Sequence, residues 1–318
     1  MFKWNKKGLI FSPNGRHDWM YNYAQCPFPV DFGEFVRVYF ATREKYAGNM
    51  VRAFGGFVDL DKNDLKKIIR VADNPIMELG GLGEFDEFGS MPISVVKHGN
   101  EYYLYYVGWT RCCSVPYDWE IGFAKSKDGE HFEKVGKGPL IGPTFDEPYL
   151  NSTPVVYKFS DTDWHMFYHT GLCWLKGEDK LESRYVIKHA TSTDGIHWNR
   201  NAAPIIPTRV ANECQTTPAL LRLDGKYHVF FCYREGLDFR ENRDKSYRIG
   251  YAWSDDLVTW HRDDSLAGIG VSEQGWDSQM LEYPHIAKIN DKFVMFYCGN
   301  HFGEGGFGCA ELELDSAK

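Results

Sequence analysis

One aromatic segment recurs five times along the chain, as EFVRVYFATRE, EYYLYYVGWTR, DWHMFYHTG, KYHVFFCYREG and KFVMFYCGN. Aligned on Phe40, Tyr106, Tyr168, Cys232 and Tyr297, the copies stand 66, 62, 64 and 65 residues apart. A period this regular marks a repeat architecture, in which a unit covers its apolar face only by stacking on a neighbour. Ahead of four copies stands a proline with β-branched or apolar residues, in MPISVV, TPVVYK, TPALLRL and YPHIAKI, and the first unit has CPFPVDF. Between the two segments lie HGNE, FSDTD, LDGK and INDK, the turn residues an antiparallel hairpin requires.

A third β segment follows in the middle units, EIGFAKS, YVIKHATS and YRIGYAWS, and each runs into a turn, SKDGEHF, STDGIHW or SDDLVTW. Four antiparallel strands per unit, repeated radially, protect sheet edges from stray pairing. The chain is therefore expected to be all-β, a single five-bladed β-propeller over residues 1–318. Its last unit ends after FGCAELEL, so KGLIF near the N-terminus is the expected fourth strand that closes the ring. A pair of β-sandwiches would give no reason for the five-fold period.

Composition narrows the function. Hydrophobic residues make up 43% and aromatic residues 16% of the chain, enough for a packed core and for sugar-binding faces. A net charge of −8 and no concentrated basic segment exclude a nucleic-acid footprint. No apolar run has membrane-spanning length, and the N-terminal segment lacks a secretory signal pattern. A cytoplasmic protein with no membrane partner is expected. The eight cysteines lack zinc-type spacing and read as reduced, buried thiols.

In a propeller blade the first strand lines the axis and the second runs back, so the start of one and the end of the other share a face. First-strand starts carry Gln25 and Cys26, Glu87 and Ser90, Asn151 and Ser152, Glu213 and Gln215, then Asp277, Gln279 and Glu282. Second-strand ends carry Arg43 and Glu44, Trp109 and Arg111, His169, Arg234 and Glu235, then Asn300 and His301. Charge beside buried strands is costly unless it is paired, solvated or kept for chemistry. Arg43, Glu44, Arg234 and Glu235 could tie blades together as ion pairs; the convergence of the whole set predicts an axial pocket.

The repeats, and above all LEYPHIAKINDKFVMFYCGN, resemble the five-bladed propeller glycoside hydrolases of families 43, 62, 32, 68, 117 and 130. The turns of the form S-x-D-G-x-x-W carry the same resemblance. In family 43 the general-acid glutamate lies in a Glu-x-Pro-His-Ile segment, which Glu282, Pro284, His285 and Ile286 match. The resemblance implies Glu282 as general acid. It also implies a base aspartate on the first blade and a second aspartate on the next. The first unit here offers Gln25 and Cys26 instead, and the acid-like segment sits in the fifth unit. Family 32's Trp-Met-Asn-Asp-Pro-Asn-Gly is absent.

Glycoside hydrolysis needs one protonated carboxyl and one carboxylate. Glu282 is the expected acid and Glu213 the expected base, with Glu44 and Glu235 as substitutes. Trp109, His169 and His301 are expected to bind substrate with Glu44 and Glu235. Arg43, Arg111 and Arg234 exceed what a neutral sugar needs and suit an anionic group. No cofactor is expected; an axial calcium, held in some propeller hydrolases through water and histidine, lacks a ligand pattern at His169 and His285. The leading expectation is a glycosidase-like protein acting on a small glycoside, an anionic one if the arginines serve the ligand. The alternatives are a catalytically silent propeller binding an oligosaccharide, and an enzyme of sugar transfer or phosphorolysis.

Overall fold

Within each repeat the proline-led segment and the aromatic segment fold back on each other, because both carry apolar side chains on alternate positions and a tight turn joins them. The computed structural model describes residues 1–45, 51–201 and 203–314. Strand β1 (Trp4–Phe11) precedes the first unit, which holds β2 (Asn22–Asp31), β3 (Phe35–Arg43), β4 (Ala53–Asp61) and β5 (Ile68–Val71). The second holds β6 (Gly89–His98), β7 (Glu101–Thr110), β8 (Asp118–Ser126) and β9 (Glu133–Lys134). The third holds β10 (Asn151–Ser160), β11 (Asp163–Lys176), β12 (Leu181–Ser192) and β13 (Asn199–Arg200). The fourth holds β14 (Cys214–Leu223), β15 (Lys226–Arg234), β16 (Arg248–Ser254) and β17 (His261–Arg262). The last repeat supplies β18 (Glu282–Ile289), β19 (Lys292–Cys298) and β20 (Phe307–Leu312).

Pairing inside every unit is antiparallel, and β1 completes the last one by running against β20 from Trp4↔Leu312 to Phe11↔Phe307. The segment KGLIF thus takes the closing position expected of it. One parallel pair, Ala53↔Gly89, joins the first two units. The first strands touch in turn, β2 to β6, β10, β14 and β18, and β18 returns to β2. They therefore surround a common axis, in an all-β propeller. Phe40, Tyr106, Tyr168, Cys232 and Tyr297, the repeat markers, are all buried. At the closing seam Phe11 packs on Phe40 and Phe307, with ring centroids 5.0 and 5.8 Å apart.

An acid placed just before the first strand ties each of four units across its width. Asp86, Glu147 and Asp277 accept from the hydroxyls of Tyr106, Tyr168 and Tyr297 at 2.9, 2.9 and 3.0 Å. The same acids pair with a cation on the outermost strand, Lys134, Arg200 and Lys6, at 2.6, 2.7 and 2.6 Å. Glu213 holds this position in the fourth unit and pairs with Arg262 at 2.6 Å, where Cys232 replaces the tyrosine. Removing one hydroxyl from such a tie gives a measurable loss: Tyr168→Phe is expected to cost about 1.5 kcal/mol in urea unfolding, the range of a hydrogen bond to a charged group.

Among the described residues no helix is long and apolar enough to cross a membrane. All eight cysteines are free, but they are not uniformly buried: Cys112 and Cys113 are exposed and Cys173 is half-buried.

Candidate functional site

Where first strands begin and second strands end, the ring opens into a cavity of about 680 Å³, within the usual range for small-ligand sites. Its wall draws on every part of the ring: Arg43 from the end of β3, Trp109 from β7, Tyr185 from β12, Arg234 from β15 and Tyr283 from β18. Of the residues expected from the sequence, Arg43, Glu44, Trp109, Arg111 and Arg234 line it. Trp109 lies flat against Gly89, where a Cβ would overlap its indole, so only glycine fits there. Tyr117 and Trp119 stack with centroids 4.3 Å apart and give the wall an aromatic face.

The charges do not balance. Four arginines line the cavity, Arg43, Arg111, Arg234 and Arg240, against one carboxylate among the described residues, Glu44. Glu44 is committed to Arg52, at 2.7 Å, and hydrogen bonding from Arg52 holds it below the usual carboxylate range. Arg240 is committed to Glu182, its Nε and Nη2 donating at 3.0 and 3.2 Å, and its guanidinium lies over Phe239 and Phe302. Arg234 differs. It is 3% exposed and donates to the carbonyls of Glu235 and Gly236 and to the Tyr185 hydroxyl, and its Nε has no hydrogen-bond partner among the described residues. Arg43 donates to Gln25 Oε1 at 3.2 Å, and burial lowers its pKa. No described carboxylate lies within ion-pair distance of either. A buried guanidinium at Arg234 without a counter-charge, beside the half-buried Arg43, is costly, and a bound anion would offset that cost.

Several expected residues lie elsewhere. Glu213, the expected base, is fully buried and turned into the fourth unit, where Arg262, Gln215 and the Arg209 and Val210 amides donate to its carboxylate. Glu235 faces Lys245 at 3.9 Å and does not line the cavity. His301 is exposed, and its neighbour Phe302 takes the place on the wall. His169 lies deeper, in a small compartment beneath the main cavity.

Glu282, the expected acid, is completely buried, and neither carboxyl oxygen has a hydrogen-bond partner among the described residues. It lines neither the cavity nor the compartment. A bulge between Glu282 and His285, with Tyr283 at φ 55°, puts the Tyr283 ring on the wall and leaves Glu282 enclosed. Burial pushes its carboxyl well above the ordinary 4.5, against the opposing pull of Tyr283 and Arg234. The sign of the resulting pH effect is fixed. Above about pH 4.5 the unfolded chain releases this proton and the folded chain keeps it, so stability falls as pH rises. Glu282→Gln lacks that penalty. The excess of its urea midpoint over that of wild type is expected to be smallest below pH 4.5 and to grow steadily toward pH 8.

Tyr185, Tyr247, Phe239, Arg240 and Tyr283 also line the cavity and carry no periodic signal that marks them in the sequence. Tyr185 and Tyr247 share a hydroxyl hydrogen bond beside Arg234. Among the described residues no group of three or more His, Cys, Asp or Glu is arranged to hold a metal ion. His285 lies against Phe28, burial pushes it down to about 3, and neither ring nitrogen has a hydrogen-bond partner among the described residues.

No family model matches the chain. Two Mycobacterium tuberculosis proteins, uncharacterised proteins MT1551 and Rv1502, are each 34% identical over 312 residues, covering 98% of this chain and 99% of theirs. A β-1,2-mannobiose phosphorylase from Thermoanaerobacter is 26% identical over 177 residues, 52% of this chain and 53% of its own. Among solved structures, a glycoside hydrolase superposes with a TM-score of 0.76 over 99% of this chain and 94% of its own, at 16% identity. A structure from the GH130 family of mannoside phosphorylases, which contains hydrolases of β-1,2 mannosidic linkages, superposes at 0.69 with 14% identity, over 98% of this chain and 94% of its own. A thermostable family-43 glycoside hydrolase gives 0.64 at 12% identity, over 93% and 91%.

Proposed function

The chain belongs to the family of the M. tuberculosis proteins MT1551 and Rv1502, and from that premise we propose that it is a glycan-active enzyme that uses phosphate, cleaving or forming a glycosidic bond by phosphorolysis in the axial cavity. The observation that carries this reading is a pair of arginines, the buried Arg234 and the half-buried Arg43, that have no carboxylate partner in a cavity walled by aromatic rings. Arginine presents a planar fork that fits phosphate oxygens two at a time. The partial similarity to a β-1,2-mannobiose phosphorylase supports the same class.

Hydrolysis by a carboxyl pair is the weaker reading, because it needs two carboxyl groups facing one sugar and Glu44 is the one lining carboxylate described. Phosphorolysis asks less of the protein. A hydrogen phosphate oxygen attacks the anomeric carbon, the bond from that carbon to the glycosidic oxygen breaks, and the phosphate proton passes to the departing oxygen. The products are a sugar 1-phosphate and a free hydroxyl. Arg43 and Arg234 hold the charge that the phosphate brings, and the aromatic wall of Tyr117 and Trp119 stacks on the sugar.

The test is a panel of aryl glycosides and manno-oligosaccharides incubated with and without inorganic phosphate and followed by phosphorus NMR. Sugar 1-phosphate is expected only where phosphate is present. Release of reducing sugar at the same rate without phosphate would contradict the proposal. The second reading, a catalytically silent carbohydrate-binding propeller, is favoured by the enclosure of Glu282. Saturable phosphate and sugar binding with no turnover on any substrate would select it.

A further inference from the structure

Strand β2 reaches the cavity wall by an irregular path. Its register against β3 runs Asn22↔Arg43, Gln25↔Ala41 and Phe28↔Tyr39, with a slip on each side of Gln25. Tyr23 and Cys26, one at each slip, take φ of 63° and 54°, a left-handed conformation that is unfavourable for residues other than glycine. The slip at Cys26 has counterparts beside Thr153, Thr217 and Tyr283 in three other units. The slip at Tyr23 has none at the start of the other first strands. The first unit thus carries an extra strained residue next to Gln25, and such strain gathers at ligand sites.

Gln25 is 8% exposed and lines both the axial cavity and the small compartment beneath it. Arg43 Nη2 donates to Gln25 Oε1 at 3.2 Å. A guanidinium has donors only, so the carboxamide atom facing it is the oxygen, and the NH2 group is left for another partner. Gln25 Nε2 has no hydrogen-bond partner among the described residues, yet it is not one of the enclosed polar atoms. It is an open donor on the wall. Arg43 beside it lies against the rings of Tyr23 and Trp109, 5.9 and 5.7 Å from their centroids. Those rings hold the guanidinium without neutralising it.

We propose that Gln25 is an oxyanion-binding residue, its Nε2 donating to an oxygen of the phosphate that Arg43 holds. One guanidinium and one carboxamide, joined by their own hydrogen bond, then clasp the anion together, each fixing the other's orientation. This inference rests on the reading of the cavity as a phosphate site. Gln25→Leu removes the donor and is expected to weaken phosphate binding by roughly ten- to hundredfold, the scale of one hydrogen bond to a charged group. Gln25→Glu keeps the shape but puts a carboxylate beside Arg43 that takes up its charge and repels phosphate. Binding is then expected to fall by more than about a hundredfold. The same carboxylate supplies the counter-charge that Arg43 lacks, so the empty Gln25→Glu protein is expected to melt at or above the wild-type temperature. A merely structural glutamine would lose stability and binding together.

The experiment is calorimetric titration of inorganic phosphate into the whole chain at pH 7, for wild type, Gln25→Leu and Gln25→Glu, with thermal unfolding of each before phosphate is added. Nitrogen NMR of the wild-type Gln25 side-chain amide, followed through the same titration, needs no variant to fold. Its signals are expected to move and to saturate with the calorimetric curve. Phosphate binding by either folded variant at the wild-type affinity, or Gln25 amide signals that stay in place while phosphate saturates, would overturn the role of Gln25 and leave the phosphate site standing. Wild type that binds no phosphate would overturn both. Phosphate-independent release of reducing sugar would overturn phosphorolysis alone, and the binding comparison would still decide the role of Gln25.

Discussion

Arg234→Met is expected to weaken the binding of inorganic phosphate by roughly a hundredfold, the scale of losing one buried charge-assisted partner, without destabilising the fold. The two halves of this result belong together. Arg234 is 3% exposed with an unpartnered Nε, and its guanidinium lies 3.5 Å from the Phe239 ring centroid, so a methionine can occupy much of the same apolar space. Removing a desolvated charge that lacks a counter-ion relieves a cost in the empty protein. Thermal unfolding without phosphate is expected at an unchanged or higher temperature. A residue kept at the expense of stability is what a binding site produces. In wild type, phosphate itself is expected to raise the melting temperature, because it binds the folded chain alone, and Arg234→Met is expected to lose that rise.

Glu213→Gln should do the reverse. It leaves Arg262, whose side chain is fully enclosed, with its Nη1 facing an uncharged amide in place of a carboxylate at 2.6 Å. Arg262 keeps Asp264 at 2.9 Å, so the expected loss is about 1 to 3 kcal/mol, the cost of leaving buried hydrogen-bonding groups unsatisfied. The glutamine amide keeps one oxygen, so either the Arg209 and Val210 amides, at 2.7 and 3.0 Å, or Arg262 and Gln215 are left facing an NH2 group. Denaturation in urea measures this loss, and phosphate binding at the folded plateau is expected to match wild type. A stable Glu213→Gln protein that no longer binds ligand would return Glu213 to the site.

The contrast between these two residues shows what the sequence carries. The five-fold period lies in the chemistry of the segments themselves, aromatic strands between turn residues, so architecture and the closing role of Trp4–Phe11 can be read directly. A strand-start acid is ambiguous. Asp86, Glu147, Glu213 and Asp277 recur 61, 66 and 64 residues apart, which matches the period of the fold and signals a shared structural task. Identity at one position cannot reveal whether the partner is a substrate or an arginine on the outermost strand.

Glu282 was hidden for another reason. Each first strand slips register beside its proline, between Ser152 and Val155, Thr216 and Ala219, and Glu282 and His285 among others. A slip of one residue exchanges the faces of a strand. Counting alternate residues from Glu282 puts it on the axis wall; the bulge gives that place to Tyr283. Arg240 could not be placed at all, because its position depends on a loop and on Glu182 in the neighbouring unit. Arg43, Trp109 and Arg234 were legible because they end second strands before any slip occurs.

The central claim is that Arg43 and Arg234 form an anion site on the axis, and a heavy-atom anion can be located directly. Crystals soaked in tungstate, a tetrahedral dianion like phosphate, would be examined by anomalous diffraction. The account predicts a peak in the axial cavity within hydrogen-bond reach of both guanidiniums, displaced by excess phosphate. An empty axis, with tungstate only at outer groups such as the lysine-lined groove of Lys62, Lys66 and Lys292, would contradict it.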